Sequence, residues 1–253
     1  MLLAVAAVIF GVMALAHMAP FPFLLEYIGP HRSVWHMPRS DGAPIVYLTF
    51  DDGPNPTATP QLLDVLARED VQATFFLIPR HLTEETAPIV ARMFNEGHAV
   101  ALHSDTRALM LKRPEDLAAT LAAAADRIEQ LTGRRPCQLF RPHAGWRGSA
   151  MYQGLDRADY QLAGWSWAMW DWNWYRPQQP EKLASRLASR ASDGSVAVMH
   201  DGDHKNPRAD RRVTVAAAAE LIPALKTRGF RFGTVCEAGS PLSATGRAPA
   251  PGS

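Results

Sequence analysis

Thr49-Phe50-Asp51-Asp52-Gly53-Pro54 closes an apolar run that begins at Ile45, and the reading of this stretch decides the fold. Residues 45–50 lack the polar alternation of a half-exposed strand, as expected of a strand covered on both faces. Two adjacent carboxylates then leave the strand, and Gly53-Pro54 turns the chain directly after them. Asp51 and Asp52 therefore stand at the rim of a sheet. Neighbouring like charges cost free energy unless a cation or a shared proton offsets them. An Asp-Asp-Gly turn is also an ordinary surface turn, so the rest of the chain has to decide between the two.

Outward from this strand, similar runs recur at 73–78, 99–103, 138–141, 161–167, 195–200 and 230–235. Between them lie helical patterns at 60–69, 84–95, 114–131, 181–192 and 213–228. In the third helix Leu117, Leu121, Ala124, Ala125 and Ile128 recur at three- and four-residue steps and mark a core-facing stripe. Gly97, Gly133, Gly194 and Gly229 each stand where a left-handed residue would close a helix. Seven strands with crossover helices predict a parallel sheet, either a barrel or an open doubly wound sheet. Asp51, His103, Arg141, Asp171 and His200 each end or closely follow a different strand, which gathers them at the face where barrel active sites lie.

Those residues sit in five ordered segments that resemble the polysaccharide deacetylases (carbohydrate esterase family four) over about residues 44–238. The hexad at 49–54 is similar to the family's first motif, and His103-Ser104-Asp105-Thr106-Arg107 to its second, His-Ser/Thr-x-x-His. Arg141-Pro142-His143-Ala144-Gly145 resembles the third, Arg-x-Pro-x-Gly; Asp171-Trp172 resembles the fourth, and Val198-Met199-His200 the fifth. The resemblance implies an α/β chain folded as a distorted (β/α)7 barrel in a single domain at 40–238. It also implies a hydrolase that removes N-acetyl groups from N-acetylated polysaccharide or oligosaccharide with one divalent metal, zinc first, cobalt or nickel as alternatives.

On that resemblance Asp51 is the general base, Asp52 and His103 are metal ligands, and His200 protonates the departing amine. Arg141 would orient Asp51, and Asp171 would hold His200 in its productive tautomer. Two departures stand against the family pattern. Arg107 occupies the place of the second metal histidine, and arginine does not deprotonate to become a ligand. His143 occupies a proline place in the third motif. A catalytic zinc ordinarily takes three protein ligands. His143, Asp105 and His204 are the candidates to replace the lost one. A weak two-ligand site is the second outcome. The third is an Arg107–Asp52 pair that excludes metal, leaving a catalytically silent glycan-binding protein of the same fold.

Five tryptophans fall between 165 and 174. Trp165 and Trp167 are expected on one face of a strand, filling the core. Trp172, with Trp146 and Arg107, is expected to line the sugar groove, since flat aromatic faces stack on sugar rings. Residues 2–16 are apolar without interruption, a length that suits a signal segment and falls short of the roughly 20 residues that span a bilayer. We expect residues 1–28 to export the chain or anchor it at a membrane, giving an extracytoplasmic protein, secreted or membrane-anchored. Residues 239–253, rich in Ser, Pro, Ala and Gly, are expected to be a disordered tail. Cys137 and Cys236 are either a disulfide or two buried thiols. A net charge of +1 offers no electrostatic footing for nucleic acid.

Overall fold

The computed structural model describes residues 2–18, 22, 24–28, 33–104, 106–169, 171 and 178–236, the side chains of Leu2, Ile28, Arg107 and Met110 excepted. Among these residues every strand joins one parallel sheet. Its order is β1 (Ser33–Val34), β6 (Gln161–Ala163), β5 (Leu139–Arg141), β4 (Ala99–His103), β3 (Thr74–Leu77), β2 (Ile45–Gly53), β8 (Val196–His200) and β7 (Trp167–Ala168), with β9 (Arg231–Phe232) beside the start of β2. β6 and β7 are the two halves of the stretch predicted at 161–167. One half pairs with β5 and the other with β8, so this single stretch curls the sheet shut into a distorted (β/α)7 barrel.

Six helices cover the outside: α3 (Ala58–Arg68), α4 (Ala87–Asn95), α5 (Pro114–Thr132), α6 (Ser149–Arg157), α7 (Pro180–Arg190) and α8 (Arg212–Thr227). α6 has no counterpart in the sequence reading, and Gly154 in its middle explains why. Glycine weakens a helix signal, yet a Cβ there would lie 2.8 Å from Leu117 Cδ2, so the missing side chain is what lets α6 close on α5. Before the barrel come α1 (Leu2–Met18) and α2 (Leu24–Ile28). Leu3, Val8, Ile9 and Phe10 of α1 are exposed, and no helix among the described residues is long and apolar enough to cross a membrane.

Two cores follow from the period-two geometry of the strands. Val46, Leu48, Phe50, Phe75, Leu102, Phe140, Ala197 and Met199 point outward into the layer beneath the helices. Tyr47, Phe76, Ala101, Leu139, Ala163 and Val196 fill the barrel interior. Continuing the inward rows carries Asp51, His103, Arg141 and His200 to the carboxyl-terminal mouth. The register places Asp51 beside His200 and His103 beside Arg141.

Two expectations change, and one open alternative is decided. Trp167 does not fill the core; it is exposed and lies against the Arg190 guanidinium, 5.2 Å from ring centre to carbon. The pairing breaks at Ser166, whose hydroxyl bonds Trp35 O and accepts from Val196 N, so alternation does not carry from Trp165 to Trp167. Gly194 has φ +82° but follows α7 by four residues and caps nothing. A Cβ there would meet Met37 O at 2.3 Å, so close approach is its reason. The two cysteines form a Cys137–Cys236 disulfide.

Candidate active site

Consecutive strand residues face opposite ways, so a regular β2 would send Asp51 into the mouth and Asp52 away from it. The strand instead breaks register between Asp51 and Gly53, and Asp52 adopts φ 69°. This bulge turns both carboxylates to the same side. Three contacts hold it. His81 Nδ1 lies 3.2 Å from Asp52 O, Ile78 N donates to Gly53 O at 2.8 Å, and Gly202 packs so tightly that a Cβ there would stand 1.9 Å from Asp52 O. Beneath the bulge Asp201 is fully buried, takes a hydrogen bond from Thr59 Oγ1, and is pushed up to about 7 chiefly by burial.

Arg141 is wholly buried and organises one wall. Its Nη1 donates to Asp51 Oδ1 at 2.6 Å and to Thr49 Oγ1 at 2.7 Å; its Nη2 donates to Gly164 O at 2.8 Å. The guanidinium carbon lies 3.8 Å from the Phe76 ring centre, which supports the charge from below. Opposite, Asp171 Oδ1 stands 2.8 Å from His200 Nδ1, while its Oδ2 accepts from His200 N at 2.7 Å and Thr214 Oγ1 at 2.8 Å. Burial lowers the His200 ring, but the charge and hydrogen bond of Asp171 raise it further, to about 9. His200 therefore carries a proton at neutral pH.

His103 Nδ1 lies 2.6 Å from Arg141 O, which only accepts, so Nδ1 bears hydrogen. In the neutral ring Nε2 is then a lone pair, and it faces Asp52 Oδ1 at 3.2 Å. No donor reaches that buried oxygen in hydrogen-bonding alignment among the described residues. Two acceptors held this close call for a proton or a metal ion between them. Burial pushes the Asp52 carboxyl up, but contact with His103 and the charges of His103, His200 and His143 hold it well below the usual carboxylate range. His143 completes the group: one ligand atom each from Asp52, His103 and His143 lie within 4.8 Å of one another. One carboxylate and two imidazoles are a donor set suited to zinc and similar dications.

The structure thus brings together Asp51, Asp52, His103, Arg141, His143, Asp171 and His200. Of the candidate replacement ligands, His143 joins the cluster. His204 stands behind it, ring centres 4.7 Å apart, and Asp105 lies outside the described residues. Trp172 and the Arg107 side chain also lie outside them. Trp146 is half-buried next to the His143 turn, against the His17 ring at 5.4 Å. The sequence reading missed His81, Thr214 and Asp201. Asp201 carried a signal, since it directly follows the strand-end His200; the others lie on elements with no motif.

The polysaccharide deacetylase profile matches residues 39–163. A peptidoglycan-N-acetylglucosamine deacetylase of Bacillus cereus is 32% identical over 203 residues, 80% of this chain and 91% of the relative. A chitooligosaccharide deacetylase of Sinorhizobium fredii is 37% identical over 207 residues, 77% of this chain and 92% of the relative. The chain belongs to the polysaccharide deacetylase family. Solved structures of the family superpose accordingly. A peptidoglycan N-acetylglucosamine deacetylase bound to an N-oxidanyl-benzamide gives a TM-score of 0.72 at 27% identity, covering 86% of this chain and 96% of that one. A family 4 acetyl xylan esterase from Clostridium thermocellum, in complex with a cobalt ion, gives 0.66 at 28% identity, covering 76% and 89%.

Proposed function

We propose that this polysaccharide deacetylase removes N-acetyl groups from N-acetylated sugars of peptidoglycan or chitooligosaccharide type, using one divalent ion held by Asp52, His103 and His143. The observation that carries this reading is the ligand cluster of those three residues, flanked by Asp51–Arg141 on one side and Asp171–His200 on the other. Zinc suits the donor set, and cobalt or nickel would fit it also. When bound, the dication supplies a Lewis acid that polarises the acetamide carbonyl and makes water easier to deprotonate.

The chain's own groups do the rest. Asp51, with one oxygen pinned by Arg141, takes a proton from water as the new C–O bond forms. His200 has Nδ1 committed to Asp171, so its Nε2 proton goes to the sugar nitrogen as the C–N bond breaks, releasing acetate and a free amine. Trp172 and Arg107 remain the residues proposed to contact the sugar, whereas Trp146 packs against His17 and the outer core. A silent glycan-binding protein was the rival reading because Arg107 removes a ligand. His143 supplies the replacement, which favours the enzyme. The disulfide supports an extracytoplasmic location, with apolar α1 as the exporting or membrane-tethering segment.

The test is acetate release from chitooligosaccharides and from N-acetylated peptidoglycan, before and after chelation and zinc, cobalt or nickel return. We expect activity that a chelator abolishes and metal restores. Protein loaded with any of the three ions that releases no acetate from either substrate would sink the reading.

A further inference from the structure

His143 differs from the other two ligands in that no strand holds it. It opens a 3-10 turn, His143–Gly145, in which Ala144 has φ 55° and Gly145 has φ 68°, two successive left-handed residues. Such a turn stays in place only if its surroundings fix it. Ser104 Oγ fixes its start by accepting from His143 N at 2.6 Å. Its end is fixed from outside the barrel.

Arg147 N donates to His17 O at 2.8 Å, and the Arg147 guanidinium reaches back to donate to Gly145 O at 3.3 Å. That guanidinium is wholly buried. Its charge is balanced by Glu26, Nε to Oε1 2.7 Å, and it lies 5.0 Å from the Trp35 ring centre. Glu26 in turn accepts from Tyr152 Oη at 2.7 Å, and Ala16 is buried at the same junction. A continuous chain of contacts therefore runs from Glu26 through Arg147 and Gly145 to His143.

We propose that the N-terminal segment, through Ala16–His17 and Glu26, is a strap that holds the His143 turn in its ligand position, with Glu26 and Arg147 as positioning residues for the ion site. This rests on the metal reading above. Removing the Glu26 charge takes from the buried Arg147 cation the carboxylate that pairs with its Nε; Arg147 then shifts in its niche, its hold on Gly145 O weakens, and the turn relaxes away from Asp52 and His103.

The experiment is Zn2+ titration by calorimetry, with Co2+ absorption spectra, on the full chain and on His143→Ala and Glu26→Gln. Expected results are tight binding by the unaltered chain, a loss well beyond 100-fold for His143→Ala, and a loss of about 10- to 100-fold for Glu26→Gln. The Glu26→Gln cobalt spectrum should shift toward that of His143→Ala. A merely structural role would lower Tm and leave both the Kd and the spectrum alone, and that result overturns the strap. An unaltered chain that binds no ion overturns instead the metal reading. Should Glu26→Gln fail to fold, hydrogen exchange on the unaltered chain decides the matter, because coupling is reciprocal. Zn2+ should slow exchange at the Arg147 amide; an unchanged rate there overturns the strap.

Discussion

The two halves of the site are held by different means. Asp51, His103, Arg141 and His200 are the last inward residues of four hydrogen-bonded strands, and the sheet register alone sets their spacing. Asp52 and His143 stand on irregular backbone, a bulge and a left-handed turn, and depend on packing from elsewhere in the chain. On the proposed mechanism the strand-held half would carry the proton-transfer groups and one ion ligand, and the turn-held half would complete the ion site. Chemistry and ion affinity should therefore be separable by mutation.

The largest effect tests the strand-held half alone. Asp51→Asn should lower kcat by about 10²- to 10⁴-fold while Zn2+ affinity changes little, as measured by acetate release beside calorimetry. Gly202→Ala tests the other half. Its Cβ would collide with Asp52 O, so the bulge must shift, and ion affinity should fall by about 10- to 100-fold, restored activity at high Zn2+ being the signature.

Asp171→Asn sharpens the comparison through pH. His200 keeps its proton up to about 9 chiefly because of Asp171, so the alkaline limb of kcat/KM should begin to fall only near that value. Removing the carboxylate moves the falling limb to lower pH, toward the ordinary histidine value of about 6.5. The same linkage acts on stability. With the folded value raised, the His200 contribution is complete below about 6.5 and disappears as pH climbs through about 9. Last, Arg190→Ala beside exposed Trp167 should change stability by less than about 0.5 kcal/mol and leave activity unchanged, because that ring faces away from the mouth.

The same division explains what the sequence could reveal. Each of the seven predicted runs contains a strand, although 161–167 splits into β6 and β7 and 230–235 shortens to β9; the strand-end positions of Asp51, His103, Arg141 and His200 follow from them, because period two and carboxyl-terminal placement are local rules. Asp52 was legible as a carboxylate but not as a bulge, since a positive φ on aspartate leaves no mark in composition. His143 could be nominated among three replacements for the histidine missing at 107, yet only tertiary packing brings it beside Asp52 and His103. Trp167 shows the reverse failure: alternation was extended across Ser166, where the pairing partner changes. α6 was hidden by a glycine that serves α5.

Val235 is buried in the barrel interior, its amide bonded to Thr74 Oγ1 at 3.1 Å, and Cys236 next to it is bonded to Cys137 at the foot of β5. The floor of the barrel is thus laid by Val235 and Cys236 against strands from much earlier in the chain. On a ribosome the mouth could be assembled early, but the vessel has no bottom until synthesis has passed residue 236. Closure of the floor thus waits on a covalent link that spans 99 residues of chain.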